Sequence, residues 1–187
     1  RAVATSLILQ ALLKAAASRV GVETAGAGAT RSVSGLTPAA KALYLAAMAS
    51  TQAPVARPGT SQPVLVVVVE TDVDVEQMTG DTRFFLAALE GLSEDAARDA
   101  VVPFPSHEVD PYRGLAPHLG VVSARARTLH AAATGTARVV VASAAGLLPR
   151  VSAPSRMLAA ALDLRSGTTC DPYELASRLV DAGFTRE

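Results

Sequence analysis

The feature that most constrains the fold is a run of six consecutive apolar residues at positions 64–69, five of them valine. β-Branched side chains favour extended backbone, and the absence of polar alternation indicates a strand covered on both faces, as in a parallel sheet. Two shorter runs, at residues 100–102 and 139–141, have the same character. The sequence therefore predicts three buried strands that run parallel to one another.

Helical segments separate these strands. Pro38 suits the first turn of a helix that continues over residues 39–50. Thr71 or Asp72 is expected to cap a helix that starts directly after the first strand. Further helices are predicted over residues 121–133 and from Pro172 onward. Alternation of strands and helices predicts a layered α/β domain, with helices on both faces of a parallel sheet and right-handed crossovers.

Shorter segments carry weaker patterns. Residues 5–19 form an alanine-rich stretch with an apolar stripe, which predicts a helix followed by a glycine-containing connector. Residues 32–34 are typical of a short strand, and residues 147–151 of a short helix that runs up to Pro154. Residues 157–164 fit a helix or a strand, with Asp163 and Leu164 before a Ser-Gly turn favouring a strand.

Composition excludes several classes of protein. The 187 residues are 50% hydrophobic, and 17 Lys and Arg balance 17 Asp and Glu, which excludes a disordered chain and binding of polyanions through overall charge. Cys170, the single cysteine, cannot form an internal disulfide, so a cytoplasmic location is expected. No apolar run approaches about 20 residues, so no membrane partner is expected. The first residue is Arg1 rather than Met, so we expect a piece of a longer protein.

Residues 35–42 resemble a phosphate-binding loop in part. Such a loop requires the pattern G-x-x-x-x-G-K-[ST], and only Gly35 and Lys41 satisfy it. Ala40 replaces the second glycine, Ala42 replaces the Mg²⁺-binding hydroxyl, and Pro38 removes one N–H donor. The alternatives are a degenerate nucleotide loop, whose relics are Gly35, Thr37 and Lys41, and an ordinary turn that exposes a lysine.

A long polar stretch, residues 106–118, contains two histidines, but their spacing matches no zinc pattern. No catalytic residue and no metal ligand can be assigned, since neither Ser143 nor Cys170 has the neighbours of an activated nucleophile. The candidates for a DNA-facing or interdomain surface are His107, Asp110, Tyr112, Arg113, Arg125 and Arg127. The alternatives are packing of Tyr112 and Leu115 onto the fold and ordinary surface ion pairs for the arginines.

Several motifs together resemble a known family. These motifs are residues 33–43, residues 104–112, residues 123–127 and residues 139–151. They are similar to the N-terminal module of the bacterial transcription-repair coupling factor, over about residues 32–187, and residues 103–127 are the most specific part.

The resemblance implies a fold and a role. The family's module is similar to UvrB and combines a RecA-like, three-layer α/β subdomain with an inserted subdomain that docks UvrA. Residues 1–30 would then be an N-terminal helix and connector, residues 31–155 the RecA-like subdomain, and residues 156–187 the start of the inserted one. The phosphate loop is degenerate in this family, and ATP and Mg²⁺ act in a distant motor domain of the parent.

The family acts at RNA polymerase stalled on a DNA lesion, displaces the polymerase and recruits repair proteins. The parent thus resembles an ATP-dependent DNA translocase, whereas this chain is expected to need no cofactor. Because the chain stops at Glu187, no UvrA-contact residue can be assigned. The strand that completes the first subdomain is expected to lie beyond Glu187, which would leave one sheet edge unpaired. The alternatives are an active ATP-dependent nucleic-acid motor half and a stand-alone binding module.

Overall fold

The computed structural model describes residues 11, 14–15, 32–51, 63–109, 113–162, 164–167, 169–181 and 184. Its elements, in chain order, are α1 (Pro38–Thr51), β1 (Leu65–Val69), α2 (Asp72–Glu90), α3 (Glu94–Ala100), β2 (Val101–Phe104), α4 (Leu119–Thr134), β3 (Val139–Ser143), a 3-10 turn (Ala145–Leu147), α5 (Pro154–Ala160) and α6 (Pro172–Asp181).

The strands form a parallel sheet in the order β1-β3-β2, which confirms the predicted α/β class. Val139 of the central strand lies opposite Leu65 on one side and Val101 on the other. The chain crosses from β1 to the far edge through α2 and returns to the centre through α4. Because the direction of crossing reverses, two crossovers of one hand must place these helices on opposite faces of the sheet.

Two apolar clusters show that the helices do cover opposite faces. On one face Leu86 of α2 and the alanines of α1 pack against Val139 and Val141. On the other face Ala131 of α4 packs with Val140 and strand β2. All five residues of β3 are buried, as a strand between two helical layers requires.

The start of α2 follows its sequence signals closely. Thr71 is the N-cap, and its hydroxyl accepts a hydrogen bond from the Asp74 N–H at 3.2 Å. Asp74 in turn accepts from the Thr71 N–H at 3.1 Å, which completes a capping box. The helix ends at Gly91, whose φ of 72° is a left-handed cap.

Replacing Thr71 with Ala is expected to lower the free energy of unfolding by about 1 kcal/mol, because the Asp74 N–H loses its acceptor. Urea unfolding followed by circular dichroism measures the change. Thr71→Ser retains the hydroxyl and should cost much less than Thr71→Ala; an equal loss in both variants would contradict the role of the cap.

Three short segments differ from the expectation. Residues 32–34 have irregular backbone, not a strand; all three are exposed, so the segment buries nothing that would hold it in a sheet. β2 does not stop before Pro103 but continues to Phe104, which an edge strand tolerates. The strand interpretation of residues 157–164 is wrong for its first part, where α5 begins at Pro154 and ends at Ala160.

Other differences concern short helices. The helix expected over residues 147–151 is a 3-10 turn that ends at Leu147. Helix α3 was not predicted, although Ser93 caps it by accepting from the Ala96 N–H at 3.2 Å. Ala11, Lys14 and Ala15 are helical, and the rest of the predicted N-terminal helix lies outside the described residues.

The outer edge of β1 has no strand beside it among the described residues. Leu65 donates its N–H to Arg138, and the carbonyl of Val69 accepts from Ala144, so odd-numbered β1 residues direct their main-chain groups toward β3. Val66 and Val68 therefore direct theirs toward the outer edge.

No helix in the described part of the chain has the length and hydropathy of a membrane span.

Candidate functional site

The carboxyl ends of the three strands meet at one edge of the sheet, where open α/β sheets usually bind their ligands. Polar side chains from α2, α4, β3 and the segment after β2 converge there with the main chain of the 3-10 turn. We call this set the carboxyl-edge network, and it consists of Asp72, Ser106, Arg125, Ser143 and Gly146.

Asp72, at the start of α2, holds the segment that follows β2. Its carboxylate accepts from the Ser106 N–H at 2.9 Å and from the Ser106 hydroxyl at 2.5 Å. Burial alone would raise the pKa of Asp72, but hydrogen bonds from Ser106 and Ser143 and the charge of Arg125 together place it below its usual value. The Ser106 hydroxyl also accepts from the Glu108 N–H at 3.2 Å, which fixes the next turn of the loop.

Arg125 holds the same segment from the opposite face of the sheet. Its guanidinium donates to the carbonyl oxygens of Pro105 at 2.5 Å and Gly146 at 3.0 Å. It also lies over the Phe104 ring, 3.9 Å from the ring centroid, in a cation–π contact. Arg125 is only 5% exposed, so it belongs to the interior of the fold.

Arg125, one of the candidates for a DNA-facing or interdomain surface, is therefore buried inside the fold. Residues two apart on a helix point to different faces, so Arg125 and Arg127 diverge. The Arg127 side chain is 61% exposed and bonds to Asp99 at 3.1 Å, on the α3 side. Arg113 is also exposed.

Ser143 and Gly146 close the network at the end of β3. The Ser143 hydroxyl accepts from the Gly146 N–H at 3.1 Å, so this serine forms part of a tight turn. A Cβ on Gly146 would lie 2.9 Å from the Phe104 carbonyl oxygen, which leaves room only for glycine. The polar groups at this edge thus bond to one another, and their evident effect is to fix residues 105–108 to the sheet.

The predicted phosphate-loop relics lie at the start of α1. Gly35 has a φ of 78°, and the Thr37 hydroxyl accepts from the Ala40 N–H at 3.3 Å, so this threonine serves as a helix cap. Ala42, at the position of the Mg²⁺-binding hydroxyl, is completely buried. The backbone before Gly35 is irregular, whereas a phosphate loop follows a strand.

Lys41 is exposed and borders a cleft of about 570 Å³ between α1, β1 and α2, which we call the α1–α2 cleft. Three carboxylates, from Glu70, Asp74 and Asp81, line the same cleft. Its formal charge is therefore −2, since one lysine faces three acidic groups. A polyphosphate would meet net repulsion there.

The polar stretch after β2 is only partly described. His107 is half-buried, and His118 caps α4 by accepting from the Gly120 N–H at Nδ1, at 3.1 Å. Asp110 and Tyr112 lie outside the described residues. Within the described residues, no group of three or more His, Cys, Asp or Glu side chains could hold a metal ion.

Sequence reasoning missed Asp72 and Ser106 as the central pair of the network. Asp72 has a clear signal as a first-turn acidic residue, but nothing in the sequence links it to a serine 34 positions later.

Searches of family models, curated proteins and solved structures found no match to this chain.

Proposed function

We propose that this chain is a non-catalytic, UvrB-like N-terminal part of a transcription-repair coupling factor. Its parent would displace RNA polymerase stalled at a DNA lesion and recruit the nucleotide excision repair proteins. The motifs at residues 33–43 and 103–127 support this assignment, and the parallel α/β sheet is compatible with it. The finer architecture, a RecA-like subdomain over residues 31–155 and the start of an inserted one, is part of the proposal.

The observation that carries the non-catalytic role is the chemistry of the α1–α2 cleft. Lys41 faces the cleft together with Glu70, Asp74 and Asp81, and the position that should bind Mg²⁺ is the buried Ala42. Phosphate binding depends on donors and positive charge concentrated around the anion. This cleft has the opposite balance of charge, so a scaffolding role accounts for its residues better than ATP hydrolysis does.

In this role the chain presents the stretch from His107 to His118 as a docking surface. Asp72 and Arg125 fix Ser106 and Pro105, the two residues directly before this stretch, from the two faces of the sheet. This anchor at the start of the stretch lowers the conformational entropy that the stretch would lose when a partner binds. The partners, UvrA, RNA polymerase and DNA, would be engaged through the longer, cytoplasmic parent protein.

Isothermal titration with ATP·Mg²⁺ tests the proposal. We expect no binding tighter than about 100 µM, which corresponds to about 5.5 kcal/mol. The Lys41→Ala variant serves as the matched control and should give the same titration as the unmodified chain. Tighter binding that Lys41→Ala abolishes would contradict the proposal and favour the rival function, an ATP-dependent motor half.

A further inference from the structure

The outer edge of β1 has main-chain groups that can pair with a further strand. The N–H and C=O groups of Val66 and Val68 point away from β3, and no described strand lies beside them. A row of such groups is a template on which another extended segment can pair. The five residues Leu65–Val69 form an edge about 16 Å long, at about 3.3 Å per residue, so a short extended peptide can span it.

The α1–α2 cleft opens onto this edge. Successive side chains of a strand point to opposite faces of the sheet. Val67 and Val69 pack toward the core that α1 and α2 cover, and Val68 faces the other side, yet all three border the cleft. The cleft therefore reaches the main chain at the outer edge of β1, and its volume of about 570 Å³ leaves room for side chains of an added strand.

The charges of the cleft favour basic side chains in an added strand. Asp74 and Asp81 line the cleft from α2, and Glu70 lines it from the end of β1. Lys41 of α1 is the single basic residue among the lining residues, so the formal charge is −2. This charge attracts a lysine or arginine side chain that enters the cleft and repels an acidic one.

The opposite face of the same edge is apolar. Val66 and Val68 are 54% and 56% exposed there. Because an extended segment presents alternate side chains to the two faces of a sheet, a strand added beside β1 would meet a different surface on each side. Basic residues at every second position would enter the cleft, and the apolar residues between them would pack against Val66 and Val68.

We propose that the outer edge of β1 binds an extended segment of a partner protein in which basic residues alternate with apolar ones. Main-chain pairing with Val66 and Val68 supplies the affinity, and the acidic cleft selects the side-chain pattern. A second copy of this chain fits less well, because pairing of two copies through β1 would bring together two clefts of formal charge −2. This binding does not depend on the proposed function, under which a later strand of the parent would compete for the same edge.

Isothermal titration with synthetic peptides tests the strand addition in the full chain. The probe is a blocked peptide of alternating lysine and valine that is long enough to span β1. The control peptide has glutamate in place of every lysine and is otherwise identical. We expect the lysine peptide to bind at least about tenfold more tightly than the glutamate peptide, because the cleft attracts only the basic side chains.

Substitutions in the cleft locate the charge that selects the peptide. Glu70→Gln together with Asp81→Asn should weaken binding of the lysine peptide about tenfold, since two attractive charges are removed. Asp74 is left in place because it caps α2. The control Asp95→Asn changes an acidic residue on the surface of α3, outside the cleft, and should leave the affinity unchanged.

Amide hydrogen exchange measures the pairing itself and uses the unmodified chain, so it remains valid if the variants unfold. The lysine peptide should slow exchange of the Val66 and Val68 N–H groups at least about tenfold, because the added strand accepts hydrogen bonds from this edge. The Val67 N–H, which points toward β3, should change little.

Three outcomes would overturn the proposal. The first is a lysine peptide that does not bind, or that binds no better than the glutamate peptide or no better than to the doubly substituted cleft. The second is binding without slower exchange at Val66 and Val68. The third is slow exchange at these two positions before peptide is added, because another part of the chain or a second copy would then occupy the edge.

Discussion

Replacing Arg125 with Ala is expected to destabilise the protein by about 3 kcal/mol, the loss that follows when one partner of a buried charged cluster is removed. The substitution leaves the carbonyl oxygens of Pro105 and Gly146 without their donor. It also removes the positive charge that favours ionised Asp72 and the cation that covers the Phe104 ring. Urea unfolding at neutral pH measures the loss.

Arg127 provides the matched control two positions along the same helix. Its side chain is 61% exposed and pairs with an exposed Asp99, so Arg127→Ala should change stability by no more than about 0.5 kcal/mol. Limited trypsin digestion gives a second readout. Arg125→Ala should release the segment after β2, so trypsin should cleave after Arg113 faster in this variant than in the unmodified chain. Arg127→Ala should leave the rate of this cleavage unchanged. Equal effects of the two substitutions would refute the internal role of Arg125.

Replacing Glu90 with Ala is expected to cost about 2 kcal/mol, within the range for hydrogen bonds to charged groups. Arg138 donates to both carboxylate oxygens of Glu90, at 2.8 and 2.7 Å, and to the Ala49 carbonyl at 2.6 Å. These bonds join the ends of α1 and α2 to the start of β3. Both side chains of the pair are about one-fifth exposed. Removal of the carboxylate therefore leaves the positive charge of Arg138 largely buried without its negatively charged partner.

The same pair predicts a pH dependence of stability. The hydrogen bond from Arg138 lowers the pKa of Glu90 in the folded protein. A lowered folded pKa contributes stability that is complete above the unfolded value of about 4.3 and is lost as the pH falls through the folded value. Urea midpoints measured from neutral pH down to about pH 3 should therefore fall less steeply for Glu90→Gln than for the unmodified chain.

Glu94 is the control for this pH experiment. It pairs with Arg98 on the surface of α3, and its side chain is 86% exposed. Glu94→Gln should therefore reproduce the pH profile of the unmodified chain, because solvent screens such pairs. If Glu90→Gln also left the profile unchanged, the Arg138 bond would have no role in acid stability.

The sequence predicted the helices and strands well where the hydrophobic pattern and the capping or turn residues indicated the same element. The valine run predicted β1, because burial and the preference of β-branched residues for extended backbone act locally there. The burial of Arg125 could not be predicted, because its partners are main-chain carbonyls of distant segments, which leave no trace in side-chain patterns. Residues 32–34 had strand-forming character but no neighbour in the sheet, and pairing decides whether such a segment becomes a strand.

The strand order has a consequence for how the chain folds during synthesis. Among the described residues, β1 and β2 each pair only with β3, and β3 is the last of the three to be made. At a synthesis rate of about 5–20 residues per second, β3 is completed roughly 4–15 s after β1. We therefore expect no partial sheet to form before residue 139 emerges, and nascent chains to require protection from aggregation until the central strand closes the sheet in one cooperative step.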